Sequence, residues 1–384
     1  WDTISTSMPS YTFDGANKAS VATASSPVTS SLTWEKVITK NLGIDLGFLR
    51  DRLTVNADFF IRDTKDMLTD AMTLPVVYGE SEPKENAADL RTKGYELSVG
   101  WHDHFILGTS PFNYHVAASL SDYKTVITKF DNPDKLLSDH YVGKVLGDIW
   151  GYHVEGLFAT DEEAAAYEAS VNDKSVNAAV YACKAPYNHL MAGDVKFADV
   201  DESGTIDNGK NTLDDHGDLS IIGNSRPRYI YSLKGDFSWK GIDVSMFFQG
   251  IGKINWNPTY RADYFWSLYS YQRPSYIPKD FEALCWSSEE GADNSKAYFP
   301  LRRSREASTA NAALRVNSDR YLQNAAYIRL KNLTIGYTIP INKKYVQKAR
   351  AYVSGENLWY WSPLLKHTTS VDPEVATASG GTYS

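Results

Sequence analysis

Eight segments of this chain alternate apolar and polar side chains with a period of two. Leu42, Ile44, Leu46 and Phe48 alternate with Asn41, Gly43, Asp45 and Gly47, and Leu53, Val55, Ala57, Phe59 and Ile61 with Thr54, Asn56, Asp58 and Phe60. The pattern returns at Tyr95–Leu97–Val99–Trp101, at Phe112–Tyr114–Val116–Ala118–Leu120 and at Tyr229–Tyr231–Leu233–Gly235–Phe237. It appears again at Ile242–Val244–Met246–Phe248 and at Leu333–Ile335–Tyr337–Ile339, with a weaker eighth segment over 351–357. A period of two is that of a β-strand with one apolar and one polar face. The chain is therefore predicted to be all-β.

Alternation alone does not separate a soluble sandwich, apolar face inward, from a membrane barrel, apolar face outward. The connections do. Short links at 49–52, 102–111, 239–240 and 341–347 alternate with long stretches at about 69–90, 124–227 and 250–324. Compact soluble domains rarely carry structureless loops beyond about 15 residues, and here all three fall at the same parity. Most strands alternate over about 8–10 residues, near the 9–11 that a tilted strand needs to cross the hydrocarbon. The prediction is a transmembrane antiparallel β-barrel with long extracellular loops, of which these are about eight consecutive strands. By the same parity, residues 1–40 and 358–384 lie on the long-loop side, and a closing strand is expected after Ser384. The chain thus reads as part of a longer polypeptide.

Composition agrees with this reading. The mean hydropathy of -0.39 is too polar for a helical membrane protein, and no apolar run approaches the roughly 20 residues of a spanning helix. Aromatic residues make up 13%, with 25 Tyr and 10 Trp, as interfacial girdles or carbohydrate contacts require. A net charge of -8 argues against nucleic acid. Cys183 and Cys285 alone give neither a disulfide framework nor zinc-ligand spacing.

Seven segments, in order, resemble the C-terminal half of SusC/RagA-like TonB-dependent outer-membrane transporters. They are 32–36 with 41–48, 52–68, 86–98, 147–158 with 161–163, 193–197 through 221–227, 327–337, and 355–359 with 372–374. The resemblance implies a 22-stranded barrel and an N-terminal plug. It also implies a SusD-like surface lipoprotein over the extracellular mouth and TonB-driven uptake of oligosaccharides or, in some members, peptides. The plug, the TonB-contacting segment, the earlier strands and the last strand are not in these 384 residues.

The sharpest local motif is Asp199, Asp201, Ser203, Gly204, Thr205 and Asp207, the first nine positions of an EF-hand-type loop with oxygen ligands for Ca²⁺. Its twelfth position is Lys210 rather than Glu. Related family loops carry an Asp before an Ile-Ile-Gly segment, and Asp218 holds that place here, so Asp218 or Asp215 is expected to close a structural Ca²⁺ site. The alternative is a hydrogen-bonded acidic turn without metal. A second cluster, Trp256, Tyr260, Arg261, Tyr264, Trp266, Tyr269 and Tyr271, with Asp263, Arg273 and Tyr276 nearby, offers aromatic faces and charges for sugar contact, for contact with the capping lipoprotein, or for loop packing. His102 and His104 are expected to be solvated turn residues, and 162–167 a short loop helix. No catalytic signature stands out. The leading expectation is oligosaccharide import across a bacterial outer membrane. A peptide importer of the same family or a secreted glycan-binding β-protein is the alternative, and a soluble glycoside hydrolase is disfavoured.

Overall fold

The computed structural model describes residues 5–7, 12–13, 17–18, 21–23, 32–70, 84–258, 262–269, 277–279, 281–302, 314, 316–341, 346, 348–369 and 371–376. Four short strands near the start, β1 (Ser5–Ser7), β2 (Thr12–Phe13), β3 (Asn17–Lys18) and β4 (Val21–Thr23), pair as β1 with β4 and β2 with β3. The dominant feature is one antiparallel sheet of eight strands. These are β5 (Lys36–Phe48), β6 (Leu53–Asp70), β7 (Lys84–Leu107), β8 (Ser110–Lys129), β13 (Arg228–Trp239), β14 (Ile242–Lys253), β17 (Tyr327–Ile339) and β18 (Ala349–Trp361). Each pairs with its neighbours along the chain, as eight consecutive staves should.

The register carries the alternation across the sheet. Phe48, Leu53, Trp101, Val116, Gly235, Met246, Leu333 and Gly355 stand in one unbroken row from β5 to β18. On the opposite face Asp45, Asn56, Ser98, Ser119, Ser232 and Gln249 form a parallel row over the first six strands. The apolar face is open: Leu42, Ile44, Leu46, Phe59, Val99, Val116, Leu233, Ile335 and Val353 are all exposed. No helix among the described residues is long and apolar enough to cross a membrane. On β7 the outward positions from Tyr95 to Phe105 are apolar except for Asp103, which Arg52 pairs near the short-turn end. They cover about 33 Å along the strand and about 24 Å along the normal at a tilt of about 45°. That is the height of the outward apolar band of a membrane barrel.

The short connections are tighter than the sequence suggests. Strand β7 runs on through His102 and His104, which therefore lie in a strand and not in a turn, and Gly108-Thr109 closes the hairpin. Lys240 and Gly241 both have positive φ, the two-residue turn whose twist matches that of paired strands.

Two of the three long connections are not structureless, contrary to expectation; residues 71–83 of the other lie outside the described residues. In the connection from β8 to β13, β9 (Asp148–Gly151) pairs with β12 (Ser220–Asn224), and β10 (Val154–Leu157) with β11 (Val195–Phe197). The same stretch holds α1 (Asp161–Ser170) and α2 (Lys174–Tyr181). Thr160 caps α1 by accepting from the Glu163 amide (3.2 Å), and Glu163 reaches back to the Ala159 amide (2.9 Å), a reciprocal cap that fixes the helix start. In the next connection β15 (Asn255–Trp256) pairs with β16 (Gln323–Asn324). These two connections and the segment after β18 share one core: Tyr152, Phe197 and Ile206 from the first, Trp256, Phe265, Phe299 and Tyr321 from the second, and Leu364 and Val371 from the segment after β18.

Candidate functional site

The acidic loop begins just after β11. Its Asp199 carboxylate accepts the Ser203 amide (3.0 Å) and the Gly204 amide (2.8 Å), and Asp201 accepts the Ser203 amide (3.0 Å). Gly204, at φ +76°, makes the reversal a side chain would resist. From eleven residues beyond Asp207, Asp218 folds back under the loop, fully buried, and accepts the Val200 amide at 2.6 Å and the Asp207 amide at 2.9 Å. One carboxylate oxygen from each of Asp199, Asp201 and Asp218 lies within 4.8 Å of the others.

The structure chooses between the two closing residues. Asp215 is held by Lys210 at the surface (3.2 Å), whereas Asp218 joins the cluster. Ser203, Thr205 and Asp207 serve the turn instead. The Ser203 hydroxyl donates to the Thr205 carbonyl (3.0 Å), and the Asp207 carboxylate accepts the Gly209 amide (2.7 Å). Burial, helped by the nearby Asp201 charge, pushes the Asp218 carboxyl above the ordinary carboxylate range. Hydrogen bonds from Ser203 hold Asp201 below it. Three clustered carboxylates, one of them without solvent, form a hard oxygen set of the kind Ca²⁺ takes; their amide bonds also satisfy the turn without an ion.

The aromatic cluster turns out differently from its contact reading. Trp256, Trp266 and Tyr269 are only 2–3% exposed, so they pack and do not present faces to a ligand. The Trp266 ring lies edge-on to Phe265 (4.8 Å) and Tyr321 (5.3 Å), and its indole donates to the Pro258 carbonyl (3.3 Å). Tyr269 stacks on Phe299 (5.4 Å) and donates to the Pro300 carbonyl (2.6 Å). Tyr260, Arg261, Tyr271, Arg273 and Tyr276 lie outside the described residues, as do the side chains of Asp263 and Tyr264 in α3 (Asp263–Trp266). Sequence signals binding aromatics and packing aromatics identically; only the neighbours tell them apart.

A concavity of about 810 Å³ at the short-turn end of the sheet had no sequence signal. His102, His115, Asp236, Ser238 and Asp243 are among its lining residues. Asp236 gathers the His115 imidazole (3.2 Å), the Ser245 hydroxyl (2.7 Å) and the Lys234 ammonium (3.1 Å) from three strands. Arg350 forks onto Asp243 across two strands. These contacts depend on register, which no local pattern states.

A twisted eight-strand sheet with an apolar outer band, a polar inner face and elaborated loops at one end is the wall of an integral outer-membrane β-barrel. Comparison with known proteins agrees: residues 5–358 match the family described as TonB dependent receptor-like, beta-barrel, and the chain belongs to that family. Its members are transporters and receptors, not enzymes. TonB-dependent receptor P3 of Formosa agariphila is 25% identical over 345 residues, 85% of this chain and 30% of that protein. TonB-dependent receptor SusC of Bacteroides thetaiotaomicron is 23% identical over 350 residues, 90% of this chain and 30% of SusC. The chain thus spans about a third of the length of these relatives. Among solved structures, the RagAB peptide importer in its open-open state superposes with a TM-score of 0.65 at 17% identity, covering 98% of this chain and 36% of that one. The resemblance to SusC/RagA-like proteins read from the sequence is met by these matches.

Proposed function

We propose that this chain is the C-terminal part of the barrel of a TonB-driven importer, completed by further strands and an N-terminal plug and capped by a SusD-like surface lipoprotein. The observation that supports it most is the register: one apolar row crosses all eight strands, and a polar row backs it. Strands β5 and β18 have no outer partner among the described residues, and an open sheet edge is not tolerated in hydrocarbon. Ligand would be captured between lipoprotein and barrel and pass along the polar face once the plug is displaced. Oligosaccharide is the first reading of the cargo. Peptide is the second, favoured because the burial of Trp256, Trp266 and Tyr269 removes three of the aromatic faces that pointed to sugar; RagAB, of like fold, is described as a peptide importer. Deleting the full-length gene and following uptake of labelled oligosaccharides and peptides tests both. Loss of one class names the cargo, and loss of neither removes the importer reading.

The acidic loop is proposed to hold a structural Ca²⁺ through Asp199, Asp201 and Asp218, pinning the loop beneath α1 and α2. Chelator-stripped protein should gain thermal stability on adding Ca²⁺, and Asp218→Asn should lose that gain. Equal melting with and without Ca²⁺ leaves the metal-free turn.

A further inference from the structure

The outward face of the sheet changes character at its long-loop end. Leu42, Phe59, Tyr95 and Asp122 share one register row, and two residues further along each strand the same face carries Lys40, Ile61, Lys93 and Lys124. No bulge separates these positions from the apolar band in β5–β8. The period of two therefore keeps the lysines on the side of Leu42, Tyr95 and Leu120. All three lysines are exposed.

Lys93 and Lys124 are direct cross-strand partners, and like charges set opposite each other destabilise a sheet. The acids close by are already engaged. Asp63 is held by the Arg91 fork (2.6 and 3.2 Å), and Asp122 by Arg228. Among the described residues no carboxylate forms an ion pair with Lys40, Lys93 or Lys124. With strands about 4.8 Å apart, the row spans about 14 Å, so its flexible four-carbon stems must converge on a phosphate set between them. It lies where a lysine can keep its stem against acyl chains and its ammonium among headgroups. A carboxylate partner from the protein would have cancelled this charge. Arg91 and Arg228, better suited to fork a phosphate, are turned to Asp63 and Asp122, which leaves the lysines as a point-charge site continuous with a lipid-facing surface.

We propose that the Lys40–Lys93–Lys124 row binds the phosphate of an anionic lipid in the leaflet on the long-loop side. The row fixes the barrel's depth and orders lipid against β5–β8, independently of the cargo.

The test uses the full-length transporter in phosphatidylcholine nanodiscs with a minor fraction of phosphatidic acid, retained lipid being counted by native mass spectrometry. Wild type should retain phosphatidic acid several-fold above its bulk fraction. The triple variant Lys40→Gln, Lys93→Gln, Lys124→Gln should lose the enrichment, the triple Lys→Arg variant should keep it, and Lys240→Gln at the short-turn end should match wild type. Heat-resistant migration of each variant reports a folded barrel. Retained enrichment in the Gln variant, or none in wild type, overturns the proposal. Displacement of the lipid by millimolar inorganic phosphate overturns the lipid source and leaves a free-phosphate site. Cargo uptake unchanged in the Gln variant separates this result from the importer reading.

Discussion

His367 lies face to face with Tyr298, ring centroids 3.9 Å apart, and its Nδ1 meets the buried Gln323 side chain at 3.1 Å. Burial, then the positive charges of Lys366 and Arg320, lowers its pKa from 6.5 to about 4. The folded state therefore holds a neutral imidazole where an unfolded chain takes up a proton. Stability present above pH 6.5 should fall as pH drops from 6.5 to about 4 and level off below. Thermal melts across that window, with His367→Phe as the variant that flattens the slope, check the sign. Trp256 and Trp266 differ in a way only their neighbours reveal. Among the described residues the Trp256 indole N–H is buried without an acceptor, whereas that of Trp266 has one. Trp256→Phe should therefore disturb the loop core less than Trp266→Phe, and Trp266→Ala should cost about 3–5 kcal/mol of loop stability, read by protease resistance of the loops. At the acidic loop, the proposed Ca²⁺ would have to displace any proton on Asp218, whose carboxyl burial raises. The Ca²⁺-dependent gain in melting temperature should shrink as pH falls into the carboxylate range.

The hairpins of the sheet are decided by turn chemistry at single positions. A Cβ on Gly241 would meet the Thr338 carbonyl oxygen at 2.8 Å, and its φ is +85°. Gly241→Ala should thus destabilise the β13–β14 hairpin by about 1–2 kcal/mol, measured by denaturant unfolding from detergent. Near the top of β13, Arg228 grips the almost fully buried Asp122 of β8. Asp122→Ala leaves the Arg228 charge without its partner, but that guanidinium is partly solvated, so the loss should be about 1–3 kcal/mol, with looser strand ends in hydrogen exchange. The strand segments themselves were legible from alternation, because each side chain's face follows from chain geometry alone. Their extensions were not: β7 has 24 residues, and its outer part breaks the apolar pattern with charges that pair across strands.

At the scale of the whole molecule, the loops form a second packed unit above the membrane sheet, held by one core drawn from two long connections and the segment after β18. The sequence by itself determined the all-β class, the order and parity of the strands, the membrane-facing alternation and the family. Each of these is written in local period, connection length or segment likeness. It also marked Asp199 and Asp201 as one local acidic loop and left Asp215 and Asp218 as alternatives for its closing residue. Tertiary structure alone decided that Trp256, Trp266 and Tyr269 are core, that Asp218 and not Asp215 closes the loop, and that Lys40, Lys93 and Lys124 stand in one row. The physical reason is the same in all three cases. Burial and cross-strand register are properties of pairs far apart in the chain, and an aromatic, an acid or a lysine carries no mark of which distant neighbour will cover, accept or oppose it.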